Sequence, residues 1–217
     1  TLLRGRRRLG HRRVVAAGSA AELARILEAK DTRRIYDHAP VEDPKVVFLL
    51  PGGGAQHPGM GKELAAWDPV FRAHMERADA HLRSVSPIRL LDALSGGPIE
   101  DMAVQLPGIF AVSYAAAQSW IERGVTPSAL IGHSLGENTA AALAGVFSFE
   151  AGVELAYRRG ALFDELNVGS MTSVPLAPNA LEPRLGPDLD LSVVNAPELC
   201  LVSGPTEALE AFERQLA

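Results

Sequence analysis

Residues 132–136 read Gly132-His133-Ser134-Leu135-Gly136. The apolar run Ala129-Leu130-Ile131 precedes them, and Glu137-Asn138-Thr139-Ala140-Ala141-Ala142-Leu143 follows. The pattern is strand, sharp turn, helix, with a serine at the apex. A Gly-x-Ser-x-Gly turn in this setting is a nucleophile elbow. Its glycines remove the Cβ atoms that would collide where strand meets helix. The serine oxygen is pushed out of the sheet into a cleft. The N–H of Leu135, at the helix start, is placed to meet an oxyanion. A junction that merely contains a serine is disfavoured by the flanking strand and helix patterns.

An α/β-hydrolase elbow takes its partners in the chain order Ser, acid, His. Here His11, His38, His57, His74, His81 and His133 all precede Ser134. His133 adjoins the serine, and neighbouring side chains at a strand end point to opposite sides. His133 is therefore expected to pack and hydrogen-bond beneath the elbow, not to act as its base. The hydrolase order fails. Either an upstream histidine supplies the base, with His57 after the Gly53 loop the one placed to approach the cleft, or the base lies on sequence these residues do not contain.

The 217 residues suffice to bury a large core, with 47% hydrophobic and 22% charged side chains. A net charge of -5 argues against nucleic-acid binding. The single Cys200 sits in Leu199-Cys200-Leu201-Val202 and reads as a buried thiol in a reducing, cytoplasmic compartment. No apolar run approaches the ~20 residues of a membrane span, and no signal peptide pattern is present. The first residue is Thr1, and Ala217 falls inside a helical pattern, so the chain reads as an excerpt from something longer. Arg4, Arg6, Arg7, Arg8, Arg12 and Arg13 crowd the first thirteen residues without an acid or an aromatic. That composition suits a linker docking on a neighbouring domain better than a nucleic-acid arm.

Three regions follow along the chain. Residues 1–45 form a small unit: a strand ending at Ala17, then Ser19-Ala20-Ala21-Glu22, a capping box opening a helix to about Lys30. Pro40, Asp43 and Pro44 mark a linker. Residues 46–168 begin with Val46-Val47-Phe48-Leu49-Leu50, typical of a buried parallel strand, and a Pro51-Gly52-Gly53-Gly54 loop. Amphipathic helices are expected at 60–66 and 69–84, an Ala-rich helix from about Gly108 to Arg123 with Gly124 as its stop, and a helix from Phe149 to about Leu166. Residues 169–217 read β-α-β-β-α, with strands at 171–176, 189–194 and 199–202 and helices at 179–185 and 206–217. This is a ferredoxin-like split unit with its last strand missing. The fold class is α/β: an α/β-hydrolase-like large subdomain with a parallel sheet and elbow, carrying an inserted ferredoxin-like small subdomain.

These segments together resemble the acyltransferase domain of a modular type I polyketide synthase, a relative of malonyl-CoA:acyl-carrier-protein transacylase. The resemblance covers nearly the whole chain. Thr1-Leu2-Leu3-Arg4-Gly5-Arg6 and His11-Arg12-Arg13-Val14-Val15 resemble the linker that follows a ketosynthase. Phe48 to Gln56 with Pro58-Gly59-Met60-Gly61 resembles the entry motif, and Gly132 to Glu137 the nucleophile motif. Leu155-Ala156-Tyr157-Arg158-Arg159-Gly160 resembles the arginine helix, and Val193-Val194-Asn195-Ala196-Pro197 with Val202-Ser203-Gly204-Pro205 the small subdomain.

The resemblance implies ping-pong transfer of a malonyl-type unit from coenzyme A, through an acyl-serine, to the phosphopantetheine thiol of an acyl carrier protein. Ser134 aligns with the acylated serine. The N–H groups of Leu135 and Gly53 align with the oxyanion donors; Gly53 stands where the family usually has glutamine. Gln105, before Leu106-Pro107, and His133 align with pocket residues. Arg159 aligns with the arginine that grips the free carboxylate, leaving Arg158 as its solvated neighbour. The physics agrees, since a planar guanidinium binds a carboxylate through two parallel hydrogen bonds. Leu135 leans toward malonyl over methylmalonyl. The family's catalytic histidine is expected beyond Ala217, absent from this chain. Acyl-CoA, an acyl carrier protein and an adjacent ketosynthase are the implied partners, with no metal or cofactor. A serine hydrolase or esterase, and an inactive fragment or scaffold, are the competing readings.

Overall fold

A computed structural model describes residues 9–39, 41, 44–96, 99–166 and 169–216. Arg4, Arg6, Arg7, Arg8, Pro40 and Asp43, singled out above, lie outside the described residues. The chain divides into two units, Thr1–Val46 and Val47–Ala217.

In the first unit, β1 (Arg12–Val15) leads to α1 (Ala20–Ala29) and back to β2 (Ile35–His38). Ser19 opens α1 as expected: its Oγ accepts from Glu22 N at 3.2 Å, and Glu22 accepts from Gly18 N at 2.7 Å. Lys30 closes the helix in the left-handed region, φ 49°. β2 was not anticipated, because Ile35-Tyr36-Asp37-His38 shows no alternation. Its signal is cross-strand charge: Arg13 pairs opposite Asp37 in an antiparallel register, with Nε and Nη2 at 2.7 and 2.6 Å from the two carboxylate oxygens.

The second unit opens with β3 (Val47–Leu50), which pairs in parallel with β4 (Ala129–Gly132), as expected of strands that carry continuous apolar runs. Between them lie α2 (Lys62–Trp67), α3 (Pro69–Val85), α4 (Leu90–Ser95) and α5 (Met102–Glu122). After β4 come α6 (Leu135–Leu143) and α7 (Phe149–Leu166). Phe71, Leu82, Phe110, Leu135 and Val153 anchor one core shared by α3, α5, α6 and α7.

Two elements differ from expectation. Helix α5 begins six residues before Gly108 and contains Pro107. Proline removes a backbone donor and usually interrupts a helix. Here the preceding turn is held from outside: the Asp164 carboxylate accepts from the N–H groups of Met102 and Ala103 at 2.9 and 2.8 Å. The short helix α4 is carried by Leu90 and Leu94, one turn apart and both buried.

β5 (Ser170–Val174), α8 (Pro178–Leu181), a 3₁₀ turn at Glu182–Arg184, β6 (Asp190–Ala196), β7 (Leu199–Gly204) and α9 (Thr206–Leu216) follow. The three strands form an antiparallel sheet in the order β5-β7-β6, the arrangement of a split β-α-β unit. Val174, Leu181, Cys200, Val202, Leu209 and Phe212 fill a second core, with Cys200 fully buried. No helix of the described residues is long and apolar enough to cross a membrane.

Candidate active site

The elbow is built by close backbone approach. A Cβ on Gly136 would lie 2.0 Å from the carbonyl oxygen of Leu50, and one on Gly132 would lie 2.2 Å from the N of Glu137. Neither distance is tolerable, so both positions exclude any side chain. His133 N donates to Leu50 O at 3.0 Å, fastening the turn to β3. Ser134 then sits at φ 52°, ψ -115°, outside the regions open to residues with a Cβ. It occupies the cap position of α6, yet its Oγ bonds to no backbone N–H of that helix. The residue is exposed. The result is a serine hydroxyl presented to solvent at a helix N-terminus.

The turn also sorts its backbone donors. Gly136 N bonds to His133 O at 2.9 Å and Glu137 N to Ser134 O at 3.0 Å. Among the described residues no partner takes the Leu135 N–H, the first of α6, which therefore points its dipole past Ser134. The glycine loop lies against the same residue: a Cβ on Gly52 would stand 3.1 Å from Ser134 Cβ and 2.6 Å from His133 O. Gly53, next in the loop, is exposed with open space about its Cα. The Gly54 N–H is committed to Gln56 Oε1 at 2.8 Å. Ser134, Leu135 and the Gly52-Gly53 loop are thus brought together.

His133 departs from expectation. It is exposed rather than packed beneath the elbow, and its Nε2 meets Asn195 Oδ1 at 3.1 Å. The glycine at position 52 leaves its ring free to turn outward. Asn195 itself had no signal in the sequence beyond its place in Val193-Val194-Asn195-Ala196-Pro197, because a contact spanning 62 residues leaves no local pattern.

Arg159 lies on α7 and Gln105 on α5, and neither makes a hydrogen bond to the elbow among the described residues. A Cβ on Gly160 would lie 2.2 Å from Met102 O, so the two helices touch backbone to backbone beside Arg159. Arg158 is exposed and spent on Glu154, with Nε and Nη2 at 2.8 and 2.6 Å from Oε1, which holds that carboxyl below the usual carboxylate range. Arg159 is half-buried, has no carboxylate partner among the described residues, and rests over the Phe163 ring at 5.7 Å. Gln105 uses its amide nitrogen on the carbonyls of Ile99 and Glu100, at 2.9 and 2.7 Å, which pins the loop before α5.

Four histidines of this unit are engaged elsewhere. His57 Nδ1 lies 3.2 Å from Pro58 O. His74 packs edge-on against Tyr114 and Phe149, and burial, with Arg77 nearby, lowers its pKa. His81 lies 3.6 Å from Glu154, and His133 meets Asn195. None of them is hydrogen-bonded to Ser134 Oγ.

A parallel strand pair, a strained serine turn and a β-α-β-β-α unit define an α/β domain with a serine elbow. The acyl transferase domain family model matches residues 47–217, and the chain belongs to that family. It is 38% identical over 183 residues to a phenolphthiocerol/phthiocerol polyketide synthase of Mycobacterium tuberculosis, covering 83% of this chain and 12% of that protein. It is similar to the solved acyl transferase domain of SpnD, in complex with 2-(pent-4-yn-1-yl)malonyl, with TM-score 0.86 and 38% identity over 99% of this chain and 52% of that one. A malonyl-transacylase solved with a type II polyketide synthase acyl-carrier protein matches with TM-score 0.70 and 27% identity, covering 79% and 58%. The chain therefore spans about half the length of these solved relatives and a small part of the mycobacterial synthase.

Proposed function

We propose that this chain is the part of an acyltransferase that carries the nucleophile and the carboxylate grip. The enzyme moves a malonyl-type unit from coenzyme A to the phosphopantetheine thiol of an acyl carrier protein during polyketide synthesis. One observation carries the reading: an exposed, uncapped Ser134 Oγ stands on a positive-φ elbow beside an unspent Leu135 N–H and the Gly52-Gly53 loop.

In the first half-reaction Ser134 Oγ attacks the thioester carbonyl, its proton passes to a general base and on to the leaving sulfur, and coenzyme A departs as the thiol. The Leu135 and Gly53 N–H groups receive the oxyanion. In the second half the carrier thiol gives its proton to the base and attacks the acyl-serine ester, and the base delivers that proton to Ser134 Oγ. We infer that the base is a histidine outside these residues, as the family resemblance implies. Arg159 holds the free carboxylate of the malonyl group, and the malonyl-type ligand in the SpnD complex supports that class of substrate. The carrier-protein complex of the transacylase relative supports the acceptor. The reaction exchanges one thioester for another through the serine ester and calls for no cofactor. Residues 1–45 read as the connection to an adjacent ketosynthase, in a cytoplasmic synthase.

The test is selectivity. In the full-length protein, Arg159→Ala is expected to cut malonyl transfer by roughly 30-fold or more, the loss of a paired charged group, while acetyl transfer changes little. An equal fall for both thioesters would make Arg159 structural. Turnover of simple esters faster than thioester transfer would favour the hydrolase instead.

A further inference from the structure

We propose that Asn195 is a positioning residue for the acyl-transfer reaction, tying the β6–β7 hairpin to the elbow through His133 and so setting the cleft above Ser134. The inference rests on the acyl-transfer reading above. Its basis is local. Along β6 and β7, Val194 pairs with Cys200 and Ala196 with Leu199, so Asn195 has no opposing residue. It is the extra residue of a β-bulge, a device that re-aims one side chain out of the ladder. The re-aimed amide reaches His133, the residue directly before the nucleophile, at 3.1 Å.

The bond has a defined sense. The amide oxygen of Asn195 only accepts, so His133 Nε2 is the donor of this bond. Nδ1 faces the glycine loop: a Cβ on Gly52 would come within 3.2 Å of it. The imidazole is thereby placed with the loop that bears Gly53 on one side and the small subdomain on the other. The backbone of His133 is fixed by Leu50, and its carbonyl accepts from Gly136. Any swing of the ring is transmitted to the turn that holds Ser134. The two cores share none of their buried residues, so their relative placement at the cleft depends on such bridges.

The experiment is a rescue series in the full-length protein, read by rapid-mixing acylation with malonyl-CoA. Asn195→Leu keeps the volume and removes the acceptor; it is expected to slow acylation about fivefold, the worth of one neutral hydrogen bond, with KM little changed. Asn195→Asp keeps an acceptor oxygen and is expected to stay within about twofold of wild type on the same basis. Combining Asn195→Leu with His133→Ala is expected to be no worse than His133→Ala alone, because the two residues act as one unit. Wild-type acylation by Asn195→Leu, or losses that multiply in the double variant, would overturn the proposal. Failure of Asp to rescue would overturn it too, by showing that the acceptor oxygen is not what matters. Loading that persists in Ser134→Ala would instead overturn the acyl-transfer reading itself.

Discussion

Ser134 pays for its exposure in backbone strain. At φ 52° and ψ -115° it occupies a region that glycine alone enters freely, at a cost of about 1–3 kcal/mol for a residue with a Cβ. The surrounding contacts impose that conformation: Leu50 grips His133, and Gly132 and Gly136 have no room to relax. Ser134→Gly is therefore expected to raise stability by about 1 kcal/mol while abolishing acylation. Thermal melting of the Ser, Ala and Gly forms checks this, with the Ala form close to wild type. A Gly form no more stable than the Ala form would mean that the strain is not stored there. The serine elbow and its neighbouring backbone donor were legible in the sequence because they belong to one contiguous motif. The His133–Asn195 bridge was not, since it depends on a bulge that only strand pairing reveals.

At the scale of elements, helix α3 shows how one side chain organises a helix start. Asp68 is 1% exposed, and its Oδ1 accepts from the N–H groups of Val70 and Phe71 at 3.0 and 3.2 Å. Its Oδ2 lies 3.0 Å from Nη1 of Arg123, at the end of α5. Burial raises the carboxyl's pKa, but the Phe71 N–H, Ser119 and Arg123 outweigh it and the net shift is downward. A carboxyl lowered in the folded state stabilises above its unfolded value of about 4 and loses that contribution as the pH falls through its folded value. Asp68→Ala is expected to cost about 2–3 kcal/mol at neutral pH. Asp68→Asn keeps a capping oxygen and gives up an ion pair whose arginine is half-exposed, so its cost is about 1 kcal/mol or less. Urea titrations at pH 7 and pH 3 check both. The gap between wild type and Asn should narrow at the lower pH, and a gap that widens would contradict the assignment. Helix α3 was legible in the amphipathic periodicity of residues 69–84, and its cap at Asp68 is a finding of the structure. The start of α5 was hidden because its cap, Asp164, comes from 61 and 62 residues away.

At the scale of the molecule, Val47–Ala217 assembles a helical core on a two-stranded parallel sheet and a second core on a three-stranded antiparallel one. Leu49 and Ile131, paired in register, are 74% and 57% exposed on one sheet face, an apolar surface that parallel sheets normally cover. Both architectures were legible, because continuous apolar strands and the β-α-β-β-α order are read from pattern alone. The joining of the two at the elbow is a property of the fold. The central claim is that this joined surface makes Ser134 an acyl carrier. The direct measurement is intact-protein and peptide mass spectrometry of the full-length protein after brief exposure to malonyl-CoA. The expected result is a malonyl ester on the peptide holding Ser134, absent from Ser134→Ala and discharged by holo acyl carrier protein. A malonyl adduct of the same yield on the Ser134→Ala form would contradict it.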